Sequence, residues 1–587
     1  MRVVATAGHV DHGKSTLIRL LTGMEPDRWT EEHRRGLTID LGFAWTTVSD
    51  GQQLAFVDVP GHERFVANML AGVGPVPAVL FVVAADEGWM PQSGEHLEAL
   101  HALGVRHGVL VITRSDLADP EPAARQAHEQ LAETSLAGLP TVCVSGTTGE
   151  GAADLRRSLD ELVSGLPRPP HDADPRLWVD RAFTIRGAGT VVTGTLPAGS
   201  LAVDQHLVLL PGGQEVSVRG LQCLGTEAPH VDGPARVAVN LRGTDLDEVR
   251  RGDALVPPRQ WLCTDVVDVR LRGSDPRELS ARLTMHVGSA AVVTRVRPLG
   301  TDTARLSLDG PLPLRIGDRC LLRDPGSHRV PAGALVLDVR PPALARRGAG
   351  RRRAVELEEF DDHADGAAEL RRRRWIRSEE LRAMGATEPS GALRAGSWLL
   401  DPAHRDALAK QLLGLLNDYQ ERYPLEGGLP TESARQALSL PDAALLTAVL
   451  RAPDAADVSV HEGRLRLGAP RLPEPVREAV AEIRDRLESA PFQAPTATEL
   501  TELGLGSRQL AAAVRAGELS KIDQGVFLLP DAVEQAVARL AELPSPFTLS
   551  QARQTLGTTR RVAVPLLELL ARRHRTERLA DGTHRLR

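Results

Sequence analysis

Residues 8 to 16 read Gly8-His9-Val10-Asp11-His12-Gly13-Lys14-Ser15-Thr16. They fit G-x-x-x-x-G-K-[ST], a loop whose backbone N–H groups cradle phosphate oxygens. The apolar run Val3-Val4-Ala5-Thr6-Ala7 precedes it and Leu17-Ile18-Arg19-Leu20-Leu21 follows, so the context is strand, loop, helix. The glycines let the backbone turn tightly, and the helix beginning near Lys14 adds the positive end of its dipole. Lys14 is expected to reach the β- and γ-phosphates and the Ser15 hydroxyl to hold Mg²⁺. Asp11, His12, Gly13 and Thr16 complete the expected nucleotide cradle. Only Lys14, Lys410 and Lys521 are lysines among 70 basic residues. Arginine has replaced lysine almost everywhere else, and a planar guanidinium does not substitute for a compact ammonium in a tight phosphate loop.

Polar motifs follow later apolar runs in order. Leu54–Val57, Val79–Ala85, Val109–Ile112 and Thr141–Val144 alternate with helical patterns, which predicts a parallel sheet covered on both faces. Ligands in such sheets bind at the carboxyl ends of strands, and the motifs lie there. Asp58-Val59-Pro60-Gly61-His62 places Asp58 near Mg²⁺, offers the Gly61 N–H to a γ-phosphate, and gives His62 for positioning the attacking water. Thr113-Arg114-Ser115-Asp116 offers a carboxylate that accepts two N–H bonds from a guanine edge, and Ser145-Gly146-Thr147 a loop for the guanine oxygen.

The whole segment 1–168 resembles the GTPase domain of translational elongation factors. That resemblance makes Arg35-Gly36-Leu37-Thr38-Ile39 the first switch, with Thr38 on Mg²⁺ and the γ-phosphate, and makes Val10 and Leu37 an apolar gate before His62. Arg114 stands where the family has lysine, and its planar head is able to stack on a base.

At 587 residues the chain should hold about four domains or more. Cys143, Cys223, Cys263 and Cys320 are scattered without a C-x-x-C pair, which favours reduced thiols in a cytosolic protein over a zinc or disulfide framework. The N-terminus reads as a core strand and not as a secretion signal. No apolar run approaches the ~20 residues of a membrane span.

Leu166-Pro167-Arg168-Pro169-Pro170 reads as a linker. Beyond it the period becomes two, with Gly and Pro between short strands, which predicts two small β-barrels over 172–260 and 261–342. GTPase, barrel, barrel is the elongation-factor order. Val179-Asp180-Arg181-Ala182-Phe183, Gly187-Ala188-Gly189-Thr190-Val191-Val192-Thr193-Gly194-Thr195, Ala235-Arg236-Val237 and Glu87-Gly88-Trp89-Met90 together resemble the selenocysteine-specific elongation factors. In that family an Asp-Arg pair and a further Arg line the aminoacyl pocket, which implies Asp180, Arg181 and Arg236 here. Arginine would favour a selenolate over the neutral hydroxyl of serine. The other reading of Asp180–Arg181 is a strand-edge ion pair on the barrel surface.

After a basic joint at Arg346–Arg353, helices dominate. Gly396, Gly463, Gly525 and Gly582 each precede a short strand that closes a helical block, which predicts four winged helices over 345–402, 403–469, 470–530 and 531–587. Residues 531–587 carry 10 Arg against 6 acidic residues, while the whole chain has a net charge of −7. Arg560 and Arg561 at a helix start, with His574, Arg575 and Arg585 near the last wing, are the expected RNA contacts.

The resemblance implies a GTP- and Mg²⁺-dependent, ribosome-stimulated GTPase acting as a cytosolic monomer. It would deliver selenocysteyl-tRNA at UGA codons, with the arm on an mRNA stem-loop. Two alternatives remain: a general aminoacyl-tRNA carrier or initiation-type GTPase, and a GTP-switched winged-helix regulator of duplex DNA.

Overall fold

The Val3–Ala7 run forms strand β1 (Arg2–Ala7), buried along its whole length. A computed structural model describes the chain except residues 27–40, 61–67, 70–75, 168–171, 188, 328 and 470. The expected roles of Thr38, Gly61 and His62, and of the gate residue Leu37, therefore fall outside the described residues.

Six strands build the first sheet: β1, β2 (Gly42–Thr47), β3 (Gln53–Asp58), β4 (Ala78–Ala84), β5 (His107–Thr113) and β6 (Thr141–Cys143), in the order β2-β3-β1-β4-β5-β6. The inner strands are parallel, as their unbroken apolar runs predict. The edge strand β2 runs antiparallel to β3, a departure from an all-parallel sheet. Alternate residues of β4 serve different layers. Val79, Phe81 and Val83 enter one core with Leu97 and Leu100 of helix Pro91–Ala102. Leu80 and Val82 enter the other with Leu17 and Ile18 of helix Lys14–Thr22 and Leu155 and Leu159 of helix Ala152–Gly165. A strand covered on both faces has no polar side to alternate.

From Leu177 to Val256 an antiparallel sheet encloses a core that includes Val179, Val192, Val218 and Val237. From Leu262 to Asp338 six antiparallel strands form a closed barrel, which leaves no unpaired sheet edge. Gly333 lies where this barrel meets helix Pro91–Ala102; a Cβ there would come 2.6 Å from the Ala102 carbonyl oxygen.

The basic joint is not a linker. Residues Ala349–Glu358 form a helix fixed to the barrel by buried charge. Asp268 accepts from Arg305 Nε at 2.7 Å and from Arg353 Nε at 2.7 Å, and Arg353 also pairs with Asp338. Removing one member of such a buried set leaves an uncompensated charge and costs about 3–5 kcal/mol. Accordingly the chain divides into two units at a different place from the expected 342/345 boundary: Met1–Arg372 with Ile376–Ser390, and Arg373–Trp375 with Gly391–Arg587. The segment expected as one winged helix, 345–402, is split between them.

Within the second unit three blocks each run through helices to an antiparallel hairpin: Pro402–Leu467, Glu474–Leu528 and Ala532–Leu586. Gly463, Gly525 and Gly582 sit in the hairpin turns at φ 73°, 72° and 84°, the left-handed region open to glycine without strain. The first of these blocks has its own core around Leu412, Leu446 and Leu465. The last two share one, in which Leu487 and Phe492 pack with Phe547 and Leu566.

Candidate functional site

Gly8 has φ 130°, and a Cβ there would lie 2.1 Å from the Val82 carbonyl oxygen; only glycine lets the loop pass this close to β4. Lys14 Nζ donates to the carbonyls of Gly8 at 3.0 Å and His9 at 2.6 Å, so it lies along the loop. Ser15 Oγ donates to Asp58 Oδ2 at 2.7 Å, and Thr6 Oγ1 donates to Asp58 Oδ1 at 2.7 Å. Thr6 thus orients the carboxylate that meets the Ser15 hydroxyl, a role the sequence did not single out. A hydroxyl and a carboxylate side by side at the end of a phosphate loop are hard oxygen donors suited to Mg²⁺.

The Thr113–Asp116 and Ser145–Thr147 loops converge on the same place. Thr113 Oγ1 donates to the His12 carbonyl at 2.7 Å, and Arg114 Nη2 donates to the Asp11 carbonyl. The Arg114 guanidinium also pairs with Asp86 at 2.9 Å and Glu87 at 2.8 Å, so it braces the phosphate loop from the side. Asp116 is exposed at the start of the next loop. Ser145 Oγ accepts from Thr147 N at 3.3 Å and Thr148 N at 3.0 Å. A Cβ on the adjoining Gly146 would be 2.8 Å from Thr16 Cγ2, which seats this loop against the start of helix Lys14–Thr22.

His12 enters through its backbone alone. Its ring is buried, with Nδ1 3.4 Å from the Val82 carbonyl, and burial lowers its pKa to about 4, so it is neutral at pH 7. Two further supports come from helix Pro91–Ala102. Gln92 Oε1 accepts from Val10 N at 3.1 Å, and His96 Nδ1 accepts from Gly8 N at 3.0 Å. Burial holds the His96 pKa down at about 3, which keeps Nδ1 able to accept. Their i, i+4 spacing puts both on one helix face, a signal available in the sequence but weak by itself.

The second site lies between the GTPase sheet and the first barrel. Neighbouring strands Arg181–Ile185, Gly189–Leu196 and Ala235–Arg242 bring Asp180, Arg181, Thr193 and Arg236 together. Asp180 is 7% exposed and pairs with Arg236, not with its neighbour Arg181. Arg236 Nη2 reaches Asp180 Oδ1 at 2.7 Å and Thr193 Oγ1 at 3.0 Å, and Thr193 Oγ1 donates to Asp180 Oδ1 at 2.7 Å. The expected alternative, a surface ion pair of Asp180 with Arg181, is not what forms. The Arg236 guanidinium lies 3.8 Å and that of Arg181 5.4 Å from the ring centre of Phe43 on β2, within cation–π range. Arg181 Nη2 also donates to the Leu41 carbonyl. Phe43 carries no local sequence signal; it joins the site only because β2 meets the barrel.

In the arm, Arg560, His574, Arg575 and Arg585 are exposed. Arg561 is committed elsewhere: its guanidinium donates to the carbonyls of Ala494 at 2.7 Å, Pro495 at 3.0 Å and Gly525 at 3.2 Å. It fastens the last block to the one before.

Comparison with known proteins matches three segments of the chain. Residues 1–165 match the model for the elongation factor Tu GTP binding domain. Residues 264–343 match that for the selenocysteine-specific elongation factor β-barrel domain, and residues 538–585 that for the elongation factor SelB winged helix. The selenocysteine-specific elongation factor of Desulfomicrobium baculatum is 32% identical over 636 residues, covering 99% of this chain and 98% of that protein. That of Escherichia coli K12 is 35% identical over 486 residues, covering 79% and 78%. A crystal structure of the bacterial selenocysteine-specific elongation factor EF-Sec superposes with a TM-score of 0.77 at 25% identity, covering both chains completely. Full-length similarity at this level, over the same order of GTPase sheet, barrels and helical arm, makes the chain a member of the selenocysteine-specific elongation factor family.

Proposed function

We propose that this protein is a GTP-driven carrier of selenocysteyl-tRNA whose arm holds the mRNA stem-loop that marks a UGA codon for recoding on the ribosome. The observation that supports it most is the Asp180–Arg236 pair stacked with Arg181 on Phe43. Two guanidiniums and one carboxylate sum to a net positive charge in a half-buried pocket, where charge is felt more strongly than in water. An anionic selenolate fits that field and a neutral serine hydroxyl does not. The protein acts as a monomer in the cytosol, where ribosomes and charged tRNA are. Its Cys143, Cys223, Cys263 and Cys320 are free thiols, and no described helix is long and apolar enough to cross a membrane.

The residues at the phosphate loop fit a magnesium nucleotide. Ser15, Thr38 and Asp58 would hold Mg²⁺, which neutralises charge on the phosphate oxygens. Lys14 and the loop N–H groups of 11–16 bind the phosphates, Gly61 donates to the γ-phosphate, and His62 orients the water. Thr113, Asp116 and Ser145 select guanine. Titrating the GTP form with selenocysteyl-tRNA and seryl-tRNA tests the reading. Clear preference for the first is expected, and equal affinity would favour a general aminoacyl-tRNA carrier.

Asp116→Asn should weaken GTP by about 10- to 150-fold, the scale of hydrogen bonds to a charged group, and admit xanthosine triphosphate, whose edge has an oxygen in place of the amine. Calorimetry with both nucleotides measures this. Unchanged GTP affinity would remove Asp116 from the base site.

For the arm, Arg560→Ala in the full chain should weaken stem-loop binding and shallow its salt dependence by about one unit of slope. Specificity should come from unpaired bases, since the deep RNA major groove hides base edges. His574, Arg575 and Arg585 would meet the opposite strand. Arg561→Ala should act differently, lowering the melting temperature of the arm through lost carbonyl contacts. Because the last two blocks share one core, an isolated 531–587 fragment would expose apolar surface. The smallest self-contained RNA-binding piece is then both blocks. Tighter binding of matched duplex DNA than of the stem-loop would point to the regulator reading.

A further inference from the structure

The arm contains a cavity of about 300 Å³ between its first block and the segment entering the second. It lies where the loop after helix Pro402–Arg422 and strand Arg464–Leu467 face the segment entering helix Glu474–Ser489. Asn417, Tyr423, Arg466, Arg471, Leu472 and Pro473 surround one space.

Arg466 is the group that asks for an explanation. Its Nε is shut off from water and has no hydrogen-bond partner. Burial, and then the neighbouring Arg515 guanidinium, lower its pKa. A cation held partly out of water beside a like charge is costly unless an anion joins it. Arg515 is fixed nearby, donating Nη2 to the Leu425 carbonyl at 2.6 Å. Gly427 lies against both Arg464 and Arg515, since a Cβ there would be 3.5 Å from the Cδ of each. Two acidic residues, Glu421 and Glu426, also line the cavity. Glu426 is 3.7 Å from Arg464. With that pair matched, Arg466 and Arg471 outnumber Glu421 in the lining, an excess of positive charge.

The opposite wall is aromatic. Tyr423 is 44% exposed, and its ring centre lies 4.9 Å from that of Tyr419; these are the chain's only two tyrosines. Leu472 and Pro473 extend the apolar side. Gln420 closes the floor rigidly, accepting from Leu467 N at 2.9 Å and donating to the Leu467 carbonyl at 3.2 Å.

Arginines beside an exposed ring, with an amide between them, are the groups that hold a phosphate, stack a base and meet its edge. The volume is at the lower end of small-ligand sites. We propose that this cleft binds an unpaired nucleotide of an RNA chain, with its phosphate on Arg466 and Arg471 and its base on Tyr423. Asn417 meets the base edge. A paired base is ruled out as the ligand because both its faces are already stacked. The site is separate from the basic surface of the last block and gives the arm a second RNA contact.

The test uses the full-length protein and a fluorescein-labelled hexaadenylate, followed by anisotropy at several salt concentrations. Tyr423→Ala should weaken binding about 5- to 150-fold, the effect of losing one base–aromatic stack, while Tyr423→Phe retains it. Arg466→Ala with Arg471→Ala should reduce the salt slope by about 0.7, the value for one phosphate on a single strand. GTP binding by every variant reports an intact front unit. Tyr423 is exposed, so its replacement reads the site without unfolding the arm. The proposal is overturned if the wild type does not bind the hexamer, or if Tyr423→Ala binds it as tightly. It is equally overturned if Tyr423→Ala weakens binding of a twelve-base-pair RNA duplex as much as that of the hexamer, or if adenosine monophosphate displaces the hexamer at the hexamer's own affinity.

Discussion

His62→Ala should leave GTP binding intact and slow ribosome-stimulated hydrolysis by at least about 10²-fold, the usual contribution of a positioned catalytic group. Water attack on a γ-phosphate needs alignment and charge neutralisation more than covalent chemistry. Asp58 is fixed by Thr6 and Ser15 at 2.7 Å each, and Lys14 lies along the loop carbonyls. His62 follows Asp58, Val59 and Pro60 in the sequence, and the loss expected on removing its imidazole is that of water positioning. Single-turnover hydrolysis with and without ribosomes measures the effect. A variant that hydrolyses at the wild-type rate on ribosomes would show that another group orients the water.

The second large effect is expected from Arg236→Ala. The preference for selenocysteyl-tRNA over seryl-tRNA should fall about 5- to 150-fold, the range of a charge-assisted contact of about 1–3 kcal/mol. The structure adds a separate consequence. Asp180 is 7% exposed and takes its ion pair from Arg236, so the substitution also leaves a buried carboxylate uncompensated, at a cost of about 3–5 kcal/mol. Adding Asp180→Ala should recover much of that stability without restoring the preference. Arg181→Ala should reduce the preference with a smaller loss of stability, because Arg181 is joined to the Leu41 carbonyl and the Phe43 ring, neither of which carries a charge. Melting temperature and the ratio of the two tRNA affinities separate these outcomes. A full preference retained in both arginine variants, with normal GTP binding, would assign the cluster a purely structural role.

Much of the molecule is legible in the sequence because its signals are local. The glycine loop Gly8–Thr16 states its own geometry, since strand, turn and helix are contiguous and only glycine fits against the Val82 carbonyl. The apolar runs of β1, β3, β4 and β5 announce a doubly covered sheet. The hairpin glycines of the arm mark where each block closes. Residues far apart in the chain were decided by tertiary structure. Asp180 stands beside Arg181 in sequence yet pairs with Arg236, because the pairing of strands Gly189–Leu196 and Ala235–Arg242 brings residue 236 alongside it, while the side chain of 181 turns toward Leu41 and Phe43. Arg353 reads as part of a basic joint and is instead buried on Asp268 and Asp338, where two desolvated carboxylates demand a cation. Arg561 reads as a phosphate contact and is drawn to three carbonyls of the preceding block. In each case the charge was visible in the sequence, but its partner was not, since ion pairing depends on distance through space and burial sets how strongly it is felt.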